Sequence, residues 1–287
     1  MDIGITLPTS GRVSAAQRTD FAQRAEANGL ACLGVTDRLV YGTYDPLIAL
    51  AAAAAVTRDI RLVTGVMLTP YRNTAVLAKQ VASLDHLSGG RLMLGVGLGG
   101  RQEDYTAAGV SSRGRGRRQT EQLREMKRIW AGEVRGVAGG IGPEPAQPGG
   151  PPLLVGGDSE PALARMAEVG DGFVARAGSA ESFARHRQRA CAAWHGANRA
   201  GEPFGVGKIP FGLGPLAEEA VRRLVNDYFG TAGARSDPMV ATGLVTVDAI
   251  RAAVADFESA GCDLLIFTPV ISEAEQVDLL AEAVRDR

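Results

Sequence analysis

The chain has 287 residues, with 31 Lys and Arg against 32 Asp and Glu, for a formal net charge of −1. That balance excludes a global electrostatic pull toward nucleic acid or an anionic membrane surface. Three cysteines, Cys32, Cys191 and Cys262, form no CxxC pair, which excludes a metal knuckle or a thioredoxin-like redox pair and suits a reducing compartment.

The length fits a single domain over residues 1–287. Residues 3–7 read as a first strand with no basic-then-apolar leader before it, so the expected location is the cytoplasm. Ser14 and Gln17 have capping-box spacing and open a helix that turns Phe21, Ala22 and Ala25 inward and stops at Gly29. Residues 31–36 form a second strand. Asp45-Pro46, a cap followed by proline at the first helical position, opens an alanine-rich helix. Its apolar run, residues 47–56, is too short to span a bilayer. A third strand covers residues 60–68, and a helix over 74–87 carries Leu77, Val81 and Leu84 on one face.

Residues 91–97 are the fourth strand, followed after a loop by a helix over 119–130. The Gly- and Pro-rich segment 136–152 lacks periodicity and reads as an excursion within one domain, because strand–helix alternation resumes beyond it. Strands follow at 153–156 and 172–175, then a helix over 180–197, a seventh strand at 205–213 and a helix over 215–228. An irregular stretch, 230–244, precedes a helix over 247–259 and an eighth strand at 263–268. Ser272 and Glu275 make a second capping box, opening a last helix with Val277, Leu280, Ala281 and Val284 on one face. Eight strands, each followed by a helix, predict a (β/α)8 TIM barrel; a doubly wound open sheet, which has fewer strands, is the alternative.

In such a barrel the working face lies at the C-terminal strand ends. There, Gly156-Gly157-Asp158-Ser159 runs from a strand into a helix N-terminus, a place where backbone donors and the helix dipole suit a phosphate. An ordinary tight turn with an N-cap is the competing reading, and Asp158 and Glu160 weigh against an anion unless they point away. Gly95, Gly97, Gly99 and Gly100 give either a flat wall for a ring system or a crowded corner that needs small residues. Asp37 could act on a proton or close an internal salt bridge. His86 reads as structural, and His186 and His195 as solvated, without metal-ligand spacing. The basic run 113–128 reads as a solvated helix.

The sequence resembles the luciferase-like monooxygenases, a family that includes bacterial luciferase-like and flavin- or F420-dependent oxidoreductases. The resemblance is carried by Thr36-Asp37, Thr64-Gly65-Val66, Pro70-Tyr71-Arg72-Asn73 and the run from Leu84-Asp85-His86 through Gly95-Val96-Gly97. Arg117-Arg118 with Gln122-Leu123, Gly156-Gly157 and Gly170-Asp171-Gly172-Phe173 extend it over nearly the whole chain. It implies a luciferase-like barrel with irregular insertions at its C-terminal face, acting on a small organic substrate by monooxygenation or hydride transfer. It implies FMN or the deazaflavin coenzyme F420, with F420 preferred from the Arg117-Arg118 to Gln122-Leu123 pattern. The cofactor residues it suggests are Val66, Met67, Gly97, Gly99, Gly156, Gly157, Asp158 and Ser159; Arg38 and Tyr71 are set toward substrate and Asp37 toward catalysis. It further implies a non-proline cis peptide at the end of the third strand, at Val66–Met67 first and Gly65–Val66 second. Arg38 stands where many deazaflavin members have His, and the Glu that some dehydrogenases carry near Gly100 is missing. These departures keep open a cofactor-free barrel with a binding role. A homodimer is the candidate assembly, and segments 136–152 and 230–246 are expected at the substrate rim.

Overall fold

A computed structural model describes residues 1–8, 13–134, 137, 139–229 and 243–285. Eight parallel strands close into a barrel in chain order: β1 (Asp2–Thr6), β2 (Cys32–Val35), β3 (Arg61–Leu68), β4 (Leu92–Gly97), β5 (Leu153–Gly156), β6 (Gly172–Val174), β7 (Phe204–Phe211) and β8 (Leu264–Pro269). Closure is made by β1 on β8, with Ile3 opposite Leu265 and Ile5 opposite Phe267. The expected TIM barrel is therefore the fold.

The helices are α1 (Ala15–Ala27), α2 (Pro46–Val56), α3 (Thr74–Leu87), α4 (Gln102–Ala107), α5 (Arg115–Trp130), α6 (Glu160–Val169), α7 (Ala180–Gly196), α8 (Ala217–Phe229), α9 (Val247–Ser259) and α10 (Glu275–Val284). Local chemistry sets their starts. Ser14 and Gln17 close their reciprocal box, Gln17 N–H donating to Ser14 Oγ at 3.2 Å and Ser14 N–H to Gln17 Oε1 at 2.9 Å. Asp45 caps α2 by accepting from Leu47 N–H at 2.9 Å, with Pro46 at the first helical position. Ser272 and Glu275 do not make the second box: α10 starts two residues later, with Ala274 at its cap and no side-chain bond there. Its first turn is held from outside instead, since Gln276 takes both backbone groups of Leu213 at 2.9 Å.

Two apolar layers result from the period-2 strands. An outer layer, with Leu62, Leu94, Val155, Phe173 and Phe267 facing Phe21, Leu50, Val81 and Leu280, joins the strands to the helices. An inner cluster of Cys32, Val63, Met93, Leu154, Val174, Val206, Leu264 and Ile266 plugs the lumen. Each layer excludes water, and the plug sets the depth at which the mouth of the barrel ends.

α5 starts at Arg115, four residues before the expected 119. Its first turn is polar and carries no apolar period to read, while Gln119, Gln122, Leu123, Met126 and Ile129 form the buried stripe. The short helix α4 was not anticipated. His86 is exposed and its neighbour Asp85 is buried, while His186 is buried against Phe173 with ring centroids 4.6 Å apart, so the expectations for these two histidines are reversed; His195 is exposed, as expected.

Candidate functional site

The mouth is shaped first by an irregularity in β3. Thr64 pairs with Leu94 and Met67 with Val96, so three residues of β3 span two of β4. One extra residue reverses the inside–outside alternation beyond it. Val66 consequently faces the lumen, packed against the inner cluster, and Met67 is fully buried in the outer layer. Met67 therefore offers no side chain to a ligand in the mouth. The non-proline cis peptide lies at Gly65–Val66, not at Val66–Met67.

Val66 fits because two neighbours lack a side chain. A Cβ on Gly97 would stand 2.6 Å from Val66 Cγ2, and one on Gly156 would stand 3.0 Å from Val66 Cγ1. A Cβ on Gly95 would meet Thr64 O at 2.0 Å. Gly95 and Gly97 thus serve a crowded corner, and Val66 is the surface that the lumen meets. Gly99 adopts a φ of +72° beside Leu68, at the turn that leaves β4.

A residue that the sequence reading passed over crosses the lumen. Lys208 on β7 lies one inward position beyond Val206 and donates from Nζ to Gly65 O on β3. In a ring of eight strands β3 and β7 are diametrically opposed, so this side chain spans the barrel on top of the apolar plug. Burial pulls its amine down to about 8. Thr6 and Thr268 hydroxyls meet at 3.0 Å on the inner ends of β1 and β8. The sequence signal for Lys208 was a single charged residue at an inward alternation position.

Asp37, at the end of β2, is buried and accepts from Leu68 N–H and from Arg72 Nη2, each at 2.9 Å. Burial pushes its carboxyl above the ordinary value, against the opposing pull of Arg72. Arg72 continues to Asp45, the cap of α2, at 2.7 Å. The structure thus places Asp37 in the internal salt bridge that was its alternative reading. Arg38 is spent on α4, with Nε on Asp104 Oδ2 at 3.0 Å and Nη2 on Glu103 at 3.3 Å. Tyr71 meets Tyr105 edge-on at 5.8 Å between centroids, and its buried hydroxyl has no hydrogen-bond partner. Burial raises that phenol well above its usual value.

Beside the mouth lies a cavity of about 490 Å³ between the N-termini of α5 and α6, lined by Leu98, Arg113, Arg115, Gly116, Ser159 and Arg165 among others. No acidic residue lines it. Ser159 caps α6 without a side-chain bond. Pro161 has no N–H, and Ala162 and Leu163 donate theirs to Ser159 O at 2.8 and 3.0 Å, so the donors left at this helix start are the Ser159 hydroxyl and Glu160 N–H. Arg165 is 4% exposed; its Nε donates to Thr120 Oγ1 at 2.9 Å and its Nη2 to Gly116 O at 2.8 Å, and its buried Nη1 has no partner. Glu160 turns away onto Arg189 at 2.6 Å, and Asp158 is exposed outside the cavity lining, as do Gly156 and Gly157 stand outside it. Arg113 and Arg115, read from sequence as part of a solvated helix, are on the wall of this cavity.

Of segment 136–152, residues 136 and 138 lie outside the described residues, and residues 139–152 are not at the mouth. The segment connects a helix end to a strand start, which is the opposite face, and Gln147 fastens it there to Asp85 and Leu92 O at 2.7–2.9 Å. Of segment 230–246, residues 230–242 lie outside the described residues; Leu244 pairs with Phe211 and Gly212 at the mouth end of β7. Among the described residues no cluster of metal-binding side chains occurs, and no helix is long and apolar enough to cross a membrane.

A family model described as luciferase-like monooxygenase matches residues 1–244. A protein of Mycobacterium tuberculosis is 36% identical over 143 residues, 46% of this chain and 50% of that protein. The chain spans about half the length of such curated relatives. Among solved structures, an F420-dependent secondary alcohol dehydrogenase in complex with an F420–acetone adduct superposes with a TM-score of 0.84 at 16% identity, covering 99% of this chain and 98% of that one. The oxygenating constituent of 3,6-diketocamphane monooxygenase from Pseudomonas putida, in complex with FMN, gives 0.74 at 18% identity, again covering 99% and 98%. At such identities the likeness shows the fold.

Proposed function

From a chain that belongs to the luciferase-like monooxygenase family, we propose an oxidoreductase that holds a flavin-type ring in the barrel mouth and its phosphate in the cavity between α5 and α6, and acts on a small organic substrate. Arg165 carries the reading: a buried guanidinium with an unpartnered Nη1, next to an uncapped helix N-terminus and no carboxylate, is built for an anion. The residues fit a phosphate, with the Ser159 hydroxyl, Arg165 and the Glu160 N–H to hold it.

When bound, the ring supplies hydride or oxygen-activating chemistry that no side chain here provides. The protein's share is to bind, orient and shield. Val66, let in by Gly97 and Gly156, gives the ring a rigid apolar backing. The plug below excludes water from the lumen. Asp37 positions β2 against β3 through Leu68 and Arg72, and Tyr71 is assigned to the substrate side of that network although its hydroxyl is buried here. Coenzyme F420 is preferred over FMN, because Arg113 and Arg115 on the cavity wall suit its longer, more acidic tail.

The test is a fluorescence titration of the purified protein with FMN and with F420. Saturable binding of F420, tighter than that of FMN, supports the proposal. Tighter FMN binding overturns the preference, and failure to bind either overturns the cofactor assignment and favours a cofactor-free barrel.

A further inference from the structure

Among the described residues, Lys208 is the lumenal cation whose setting the binding of a phosphate does not explain. Its stem leaves β7 above Val206, crosses to β3 and ends on Gly65 O. A Cβ added to Gly65 would lie 3.8 Å from Nζ and 3.9 Å from Cδ, so the ammonium rests directly against that peptide. An ammonium has three donors, and among the described residues Gly65 O is the one acceptor that Nζ meets. No ion pair joins Lys208 to a carboxylate of the described residues. A charge held over an apolar plug without a counter-ion is costly. The plug closes the lumen below, so the part of the side chain that solvent reaches is reached from the mouth.

We propose that Lys208 is the charge partner of an anionic ligand group at the floor of the mouth, and that this group is the redox ring in its reduced, deprotonated state. The inference rests on the proposed function for its ligand, and on the position of Lys208 alone for its residue. In FMN, reduction adds two electrons and a proton to the ring and leaves it with a negative charge near neutral pH, whereas the oxidised flavin ring is neutral. Oxidised F420 already carries an ionised ring hydroxyl, so FMN is the discriminating probe. A cation on the floor therefore favours the reduced form and tunes the ring's electronics. The phosphate site, which is the same in both redox states, does not discriminate between them.

The experiment measures dissociation constants of FMN and of F420, oxidised and chemically reduced under anaerobic conditions, for the wild-type protein, Lys208→Met and Lys208→Gln. Thermal melts accompany each variant, and the Gln variant keeps a donor toward Gly65 O. The preference of the wild type for reduced over oxidised FMN is expected to drop about tenfold or more in both variants, the size of one charged hydrogen bond, with binding of oxidised FMN little changed. Equal binding ratios in all three proteins overturn the inference, as does an equal weakening of both redox forms. A wild-type protein that binds neither ring defeats the proposed function itself, an outcome separate from an unchanged ratio.

Discussion

Asp37 and Arg72 meet at 2.9 Å where β2 and β3 end, and the same arginine reaches Asp45 at the start of α2. One guanidinium thus joins two strand ends and a helix cap. Replacing Asp37 with Asn keeps the shape but leaves Arg72 one buried carboxylate short. The expected loss is about 2–4 kcal/mol of stability, seen as a lower denaturation midpoint at unchanged slope. If Asp37 instead served as a proton donor, the variant would keep its midpoint and lose turnover with an altered pH profile.

Gly97→Ala forces a methyl to within 2.6 Å of Val66 Cγ2. Overpacking of this kind costs about 1–3 kcal/mol, and Val66 is pushed from its place. Ring binding is expected to weaken with it. The double variant Gly97→Ala/Val66→Ala should regain stability by removing the opposing methyls, which a double-mutant cycle on the melting temperature would show. Additive losses would mean that the glycine answers to something other than Val66.

Arg165→Met removes the unpartnered Nη1 along with the bonds to Thr120 and Gly116. Affinity for FMN should fall roughly tenfold to a hundredfold, the range of one or more charged hydrogen bonds. Inorganic phosphate should compete with FMN in the wild type and cease to do so in the variant. The riboflavin ring, lacking phosphate, should bind both proteins alike.

His186 is buried against Phe173, and burial lowers its proton affinity below the ordinary imidazole value. A depressed folded value means that its contribution is whole above pH 6.5 and is lost as pH falls through the lower folded value. Stability should therefore decline below about pH 6, and His186→Phe should flatten that decline in urea titrations at pH 7 and 5. An unchanged acid limb would place the sensitivity elsewhere.

Lys208 has the same sign of shift for the same reason, burial. Its folded value of about 8 lies below the ordinary 10.5, so its charge opposes folding at neutral pH and ceases to do so as pH rises through that window. Lys208→Met should gain up to about 2 kcal/mol at pH 7, a figure reduced from the full shift because solvent reaches the side chain from the mouth. The gain should shrink toward pH 10 in paired denaturation curves.

The barrel was legible because its strands and helices obey single periods and are bounded by caps such as Ser14–Gln17 and Asp45-Pro46. What escaped were features set by distant partners. α10 starts where Gln276 grips Leu213, which overrides the Ser272 signal. Arg113 and Arg115 look solvated along their own helix and become a cavity wall only when α6 is laid beside it. Lys208 sits in an eight-residue strand whose other residues suit a buried sheet, and no local pattern tells that its amine crosses to β3. Segment 136–152 could have been assigned from topology alone, since a connection from helix to strand never reaches the mouth.

The extra residue in β3 makes chain length, rather than residue identity, decide what lines the ring-facing wall. Deleting one residue between Thr64 and Met67 would restore plain alternation: Met67 would stay outward opposite Val96, and a single inward residue would remain where Gly65 and Val66 now stand. A lineage could thus re-upholster its pocket through a single-codon loss, with every surviving residue spelled as before.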